Sequence, residues 1–335
     1  MTHKFSHGTY GCIFHPAFLP TQKDPEYKNV MKYLGDPSKY VIKYLDKSEA
    51  ESELKFSERF ISIDPENKYL LYPLPYIVEN VDIDKKHKDM CEKTGKDITN
   101  FVGIYLPYGG IELTDWMNKY NTHKYFEIYL YQLFIQIIEG ILFLHKNNIT
   151  HLDIKPPNFL VSESGDIDDI DEYLTGLKIR YIDFGLSHDF ESGKDPLMIN
   201  EYTLWPLDFN FYNQKRYDEK TIQNYIDKFD LTKVYHHDDI PPGIDEKNKH
   251  KVYDNLLQYL KTNDIILYYK TIDVYMIGCI IKDVYKYNKI RTGPNFKKVI
   301  DRMRNMKIED RYDDHSLRLE LINMKTKLLK KLKTL

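Results

Sequence analysis

Two short segments carry residue types that could do chemistry together. In the first, His151-Leu152-Asp153-Ile154-Lys155-Pro156-Pro157-Asn158, a carboxylate, an ammonium and an amide fall close together. The second, Asp183-Phe184-Gly185, follows a strand-like run, LKIRYI. Asp153 can accept a proton from a hydroxyl, Lys155 can neutralise charge on a moving phosphoryl group, and Asn158 with Asp183 offers hard oxygens suited to Mg²⁺. That set suits phosphoryl transfer, where positioning and electrostatics carry the rate and little covalent help is needed. Taken singly, Asp153 reads as a turn acid and Asp183-Phe184-Gly185 as a strand end entering a turn.

The elements that must position these residues are legible from periodicity. The first 110 residues hold short β-rich runs, YVIKYL (40–45), LLYPLPYIV (70–78) and NFVGIYL (100–106), with one helix over SEAESELKFSERF (48–60). From about residue 114 the pattern turns helical, and YFEIYLYQLFIQIIEGILFLHKNN is too densely apolar for a surface helix and right for a buried one. Two charged stretches, 80–100 and 163–173, read as solvated, mobile hairpin tips. Asp166, Asp168 and Asp169 lack the Gly and distal Glu of a calcium loop and read as a surface turn. His236-His237-Asp238-Asp239 are loop neighbours, which seldom converge on one metal ion.

The chain resembles the eukaryotic-type protein kinases of the Ser/Thr class, over about residues 5 to 320 and in that family's motif order. The resemblance makes HLDIKPPN the catalytic loop, with Asp153 as base, Lys155 beside it and Asn158 as a Mg²⁺ ligand. Asp183 would hold the Mg²⁺ that bridges the phosphates of ATP. Ser6-His7-Gly8-Thr9-Tyr10-Gly11-Cys12-Ile13 resembles the Gly-rich loop, with Ser6 replacing the first Gly. The implied nucleotide-binding set is Phe5, Ser6, His7, Gly8, Thr9, Tyr10, Gly11, Cys12, Ile13, Lys43, Tyr105 and Leu106. Val41-Ile42-Lys43 resembles the strand whose Lys meets the α/β-phosphates and a helix Glu. Glu53 is the expected partner, because Phe56 and Phe60 would pack inward beside it, and Glu51 is the second choice.

The implied fold is α+β and bilobal, with a small β-rich N-lobe bearing one main helix (about 1–107) and a larger, mostly α C-lobe (about 108–335). Asp273 resembles the buried helix Asp that braces the catalytic loop, and Asp208 and Arg311 fall where the family pairs a Glu with an Arg. Leu152 stands where many members have Arg, which weakens Ser187, Ser192 and Thr203 as activating phosphosites. Between Asp208 and Asp273 lie 64 residues, an expected insertion over about 210–262. The lysine-rich tail LINMKTKLLKKLKTL reads as a solvated helix packed on the lobe, with an anionic partner or membrane surface as the alternative.

Composition bounds the remaining possibilities. The 335 residues are 42% hydrophobic and carry a formal charge of −3, which excludes disorder as the main description and argues against a general nucleic-acid binder. Three cysteines with no CxxC pair argue against a disulfide scaffold or zinc module and for a reducing compartment. The longest apolar stretch, Tyr129 to Leu144, is interrupted by Gln132, Gln136 and Glu139 and is too short and polar for a membrane span. Two Ala beside 29 Tyr, and 8 Arg beside 40 Lys, reflect AT-rich coding. That bias and the Leu-type loop resemble the divergent kinases of large nucleocytoplasmic DNA viruses, implying a cytoplasmic protein, in host cytoplasm or virion if viral.

The implied function is transfer of the γ-phosphoryl of ATP, with Mg²⁺, to Ser/Thr hydroxyls of a protein substrate. A pseudokinase scaffold is the alternative, supported by Ser6 and Leu152 and opposed by the presence of Lys43, Asp153, Asn158 and Asp183. A small-molecule kinase of the choline type is opposed by Lys155, the Gly8/Gly11 loop and the intact Asp183-Phe184-Gly185.

Overall fold

Alternation along four strands decides which side chains face which core. A computed structural model describes residues 4–7, 11–95, 97–192, 204–212, 219–228, 240–242, 244–245, 247–262 and 265–335. These fall into two compact units, residues 1–111 with 180–185, and residues 112–179 with 186–335.

The first unit is built on an antiparallel sheet of β1 (Lys4–His7), β2 (Gly11–His15), β3 (Tyr40–Asp46) and β4 (Phe101–Pro107), paired in that order. Ile13 pairs with Lys43, and Lys43 with Ile104. One face carries Cys12, Phe14, Ile42, Tyr44, Phe101 and Tyr105, which pack with Val30 and Leu34 of α1 (Tyr27–Leu34). The other carries Leu45, Val102, Ile104 and Leu106 against Ala50 and Leu54 of α2 (Lys47–Leu54). The Asp46 carboxylate caps α2 by accepting from Ser48 N.

Several expectations for this unit are corrected. The single helix over 48–60 is two, α2 and α3 (Ser57–Ile63), parted at Lys55 and Phe56. LLYPLPYIV forms no strand, because Pro73 and Pro75 supply no N–H to a ladder; it makes isolated bridges at Leu70 and Val78 and single backbone hydrogen bonds from Leu71 N and Leu74 N. The supposed hairpin tip at 80–100 contains α4 (Lys85–Glu92), capped by Asp84 and burying His87 and Cys91. Cys91 is disulfide-bonded to Cys12. Residues far apart in sequence are thus paired, and both are sealed from solvent.

In the second unit, entered at β5 (Ile111–Glu112), α5 (Leu113–Tyr120) precedes α6 (Phe126–Lys146). At 21 residues α6 outruns the apolar stretch read from sequence and is long and apolar enough to cross a membrane. Most of its apolar stretch is buried inside the unit, as core. Around it lie β6 (Ile149–Thr150), β7 (Phe159–Ser162), α7 (Ile170–Gly176), the start of β8 (Lys178–Tyr181), whose Arg180 and Tyr181 belong to the first unit, and β9 (His188–Asp189), with β6 paired to β9. α7 replaces the other expected hairpin tip, and Asp169 caps it through Asp171 N and Glu172 N.

The remaining helices are α8 (Leu207–Tyr212), α9 (Glu219–Lys228), α10 (Lys249–Thr262), α11 (Ile265–Tyr287), α12 (Pro294–Met303) and α13 (Asp314–Leu332). α10 packs on α8 and α9, in the expected insertion. α13 lays Leu317, Leu321, Met324 and Leu328 on α6, leaving Lys325, Lys327, Lys330 and Lys331 exposed. His236 to Asp239, and the centre of the insertion, lie outside the described residues.

Candidate active site

The catalytic loop follows β6 in the second unit, and its backbone is held from two sides. The buried Asp273 carboxylate, midway along α11, accepts from His151 N at 2.9 Å and Leu152 N at 2.8 Å. Trp205 Nε1 donates to Leu152 O at 2.7 Å. Leu152 needs that grip, since at φ 60° it sits in the left-handed region that branched residues avoid. Its apolar side chain is fully buried, so the position where an Arg was expected serves packing.

Asp153, next in the chain, is buried with its Oδ2 2.9 Å from Lys155 Nζ and accepting from Asn158 Nδ2 at 2.8 Å. Asn158 Nδ2 also donates to Asp153 O at 2.8 Å, so the amide is oriented and its carbonyl oxygen turns away from Asp153. The structure thus brings Asp153, Lys155 and Asn158 together.

Behind this loop is a buried network that sequence reasoning missed. His145 Nε2 lies 3.2 Å from Asp273 Oδ2, and its Nδ1 lies 2.6 Å from Asp314 Oδ1 at the start of α13. Burial alone would push the His145 imidazole down, but its hydrogen bonds to Asp273 and Asp314, which accept, prevail and hold it above its ordinary value. No sequence signal links residues so far apart. The expected Asp208–Arg311 pair forms: both groups are fully buried, the guanidinium donates to both carboxylate oxygens, and Tyr268 Oη donates to Asp208 Oδ2 at 2.9 Å. Ser187 is no exposed phosphosite, because its hydroxyl is buried and donates to His151 O at 3.2 Å. Ser192 is exposed and donates to Asp189 O, while Thr203 lies outside the described residues.

In the first unit, Lys43 Nζ forms an ion pair with Glu53 Oε1; Glu51 is exposed elsewhere on α2. Burial pushes the Glu53 carboxyl up, Lys43 pulls it down, and nearby Asp183 adds to the upward push. Lys43, Glu53 and Asp183 are therefore neighbours within that unit. Phe184 packs edge-on against Phe60, with centroids 4.4 Å apart, and Phe60 stacks on Phe56. Asp183 is exposed at φ 61°.

Not every nucleotide-site residue takes the expected place. Tyr105 lies on the sheet face opposite Lys43, fully buried, with its hydroxyl donating to Phe18 O; Leu106 is on the Lys43 face. Cys12 also points away from Lys43, into its disulfide, while Ile13 faces the same way as Lys43. Gly11 has a packing role: a Cβ there would come within 2.7 Å of Leu45 Cβ and Tyr44 O. Phe5, Ser6 and His7 are register partners of Phe14, Ile13 and Cys12 on β1. Gly8, Thr9 and Tyr10 lie outside the described residues.

The family comparison accords with this architecture. The protein kinase domain matches residues 28–221, more than half of the chain. The chain belongs to the protein kinase family. Calcium-dependent protein kinase 4 of Plasmodium falciparum (isolate 3D7) is 38% identical over 87 residues, covering 26% of this chain and 15% of the relative. Serine/threonine-protein kinase ksp1 of Schizosaccharomyces pombe is 34% identical over 103 residues, covering 29% and 20%. A putative serine/threonine-protein kinase of Acanthamoeba polyphaga mimivirus is 30% identical over 82 residues, covering 24% and 25%. The matches thus span a quarter or less of the length of these relatives.

Proposed function

We propose that the chain is an ATP- and Mg²⁺-dependent protein kinase that phosphorylates Ser/Thr hydroxyls. The observation that carries this reading is the buried Asp153 carboxylate, fixed by Lys155 and Asn158 on a loop clamped at both backbone groups of Leu152. Asp153 would orient the acceptor hydroxyl and take its proton, and Lys155 would offset charge on the transferring group. Lys43, held by Glu53, would meet the nucleotide phosphates. The Asn158 carbonyl oxygen and the exposed Asp183 carboxylate are hard donors that fit Mg²⁺, which when bound would neutralise developing phosphate charge. Lys155 two residues after the base, together with the names of the yeast and mimivirus relatives, favours Ser/Thr over Tyr.

A viral origin rests on the AT-biased composition and the mimivirus relative. A cytoplasmic setting, in host cytoplasm or virion if viral, would supply ATP. The disulfide removes the cysteine argument for it, although burial shields Cys12 and Cys91 from thiol reductants.

The test is transfer of label from radiolabelled ATP with Mg²⁺ to a generic acceptor protein. Asp153→Asn should lower transfer by about 10²–10⁴-fold with an unchanged melting temperature. Phosphoamino-acid analysis should return phosphoserine or phosphothreonine, and phosphotyrosine would overturn the specificity. If wild type and variant are equally silent while ATP still raises the melting temperature, the chain binds nucleotide without turnover.

A further inference from the structure

A cavity of about 460 Å³ opens in the second unit between the first turns of α6, the end of α11, the start of α12 and the last turns of α13. None of the residues placed in phosphoryl transfer lines it. Its floor is aromatic and aliphatic: Phe296 lies 5.3 Å from Tyr131 and 5.4 Å from Tyr285, ring centroid to centroid, flanked by the buried Ile128 and Leu328. Its polar side chains are the Tyr131 and Tyr285 phenols, the Asn295 amide, three cations and one carboxylate. Neither the Tyr131 nor the Tyr285 hydroxyl has a hydrogen-bond partner among the described residues. Burial raises both phenols, Tyr131 to about 12, so both remain protonated at neutral pH.

At the rim stand Arg291, Lys327 and Lys331. Arg291 is exposed and makes no ion pair among the described residues, Lys327 lies 3.7 Å from Glu320, and Lys331 reaches Glu127 only at 4.0 Å. Glu127 is the one carboxylate lining the cavity. An apolar floor, unpartnered hydroxyl donors and a cationic rim are complementary to one kind of molecule, an apolar body with an anionic head, and the cavity has small-ligand dimensions.

We propose that this cavity is a binding site for a small amphipathic anion, with the apolar body on Phe296 and the head between Arg291 and Lys331. The site is separate from the proposed phosphotransfer chemistry, and its test requires no turnover. The probe is 8-anilinonaphthalene-1-sulfonate, titrated by fluorescence against the folded chain in saturating ADP and Mg²⁺.

A single saturable equivalent should bind, displaced by decyl sulfate and not by decyltrimethylammonium. Arg291→Glu with Lys331→Glu should weaken binding by roughly tenfold or more at an unchanged melting temperature. Tyr131→Phe with Tyr285→Phe should weaken it less, without altering displacement by decyl sulfate. Equal affinity in wild type and the charge-reversed variant, equal displacement by both surfactants, or absence of a saturable equivalent overturns the proposal. Displacement by an acidic peptide but not by decyl sulfate also overturns it and reassigns the cavity to protein docking.

Discussion

The Asp153 loop and the Lys43–Glu53 pair belong to different compact units and are fixed by different physics. The loop rests on buried polar groups: Asp273 accepts two backbone N–H groups, His145 joins Asp273 to Asp314, and Trp205 holds the carbonyl of Leu152. The ion pair rests on a strand ladder at Lys43 and a two-turn helix at Glu53, and both side chains retain some solvent contact. Buried networks of the first kind preorganise a site because every alternative leaves an unsatisfied group in low dielectric. An ion pair of the second kind can form and part at modest cost.

Asp273→Ala should have the largest effect. It leaves two buried N–H groups without an acceptor and His145 without one of its carboxylates, so the second unit should lose about 3–5 kcal/mol. Both tryptophans of the chain, Trp116 and Trp205, are buried in that unit, so denaturant unfolding followed by their fluorescence reads it selectively. A loss no larger than that of an exposed Asp substitution would show that the network is not what fixes the loop. Lys43→Met should behave in the opposite way. Phosphoryl transfer should fall by roughly 10²–10³-fold while the tryptophan transition stays put, because Lys43 serves charge rather than core. Unchanged transfer would mean that Lys43 is not the phosphate-binding lysine.

The first unit has its own covalent fixed point, the Cys12–Cys91 disulfide, which closes a loop between residues 79 apart. Unfolding in reductant, or replacement of both cysteines by Ser, should cost that unit about 2–4 kcal/mol. Hydrogen exchange read by mass spectrometry over β2 and β3 should accelerate while the tryptophan transition is unmoved. Equal acceleration in both units would show that their stabilities are not separable.

The same contrast separates what is legible in the sequence from what is not. Asp153, Lys155 and Asn158 stand within one motif, so chain connectivity alone brings them close, and apolar density made α6 a core helix. Glu53 pairs with Lys43 as its position after the Lys43 strand suggests, but Phe56 and Phe60 lie beyond the break between α2 and α3 and do not share a continuous helix with it. The tertiary pairings were not readable. Nothing local says that Cys12 meets Cys91, that His145 meets Asp314, or that Tyr105 turns from Lys43, since a strand buried on both faces shows no alternation in its sequence. α4 and α7 were mistaken for hairpin tips because their charged residues act as helix caps, and composition alone does not separate a cap from a solvated loop.

The smallest expected effect is a pH dependence confined to the second unit. His145 is pushed down by burial but held above its ordinary value near 6.5 by Asp273 and Asp314. A raised folded value means that its contribution is complete below the unfolded value and is lost as pH climbs through the folded one. Asp314 has the reverse sign. Burial pushes it up, His145 and Lys270 pull it below 3.8, and its contribution is lost only as pH falls through that lowered value. Together they place the stability maximum of this network between the two transitions, with the alkaline side set by His145 alone. The tryptophan-detected melting temperature should therefore decline as pH rises above about 6.5, the ordinary imidazole value. His145→Gln, which can still donate one hydrogen bond, should flatten that decline while lowering stability at the acidic end of the range. A slope unchanged in His145→Gln would assign the alkaline loss to other groups and leave His145 a neutral spacer between two carboxylates.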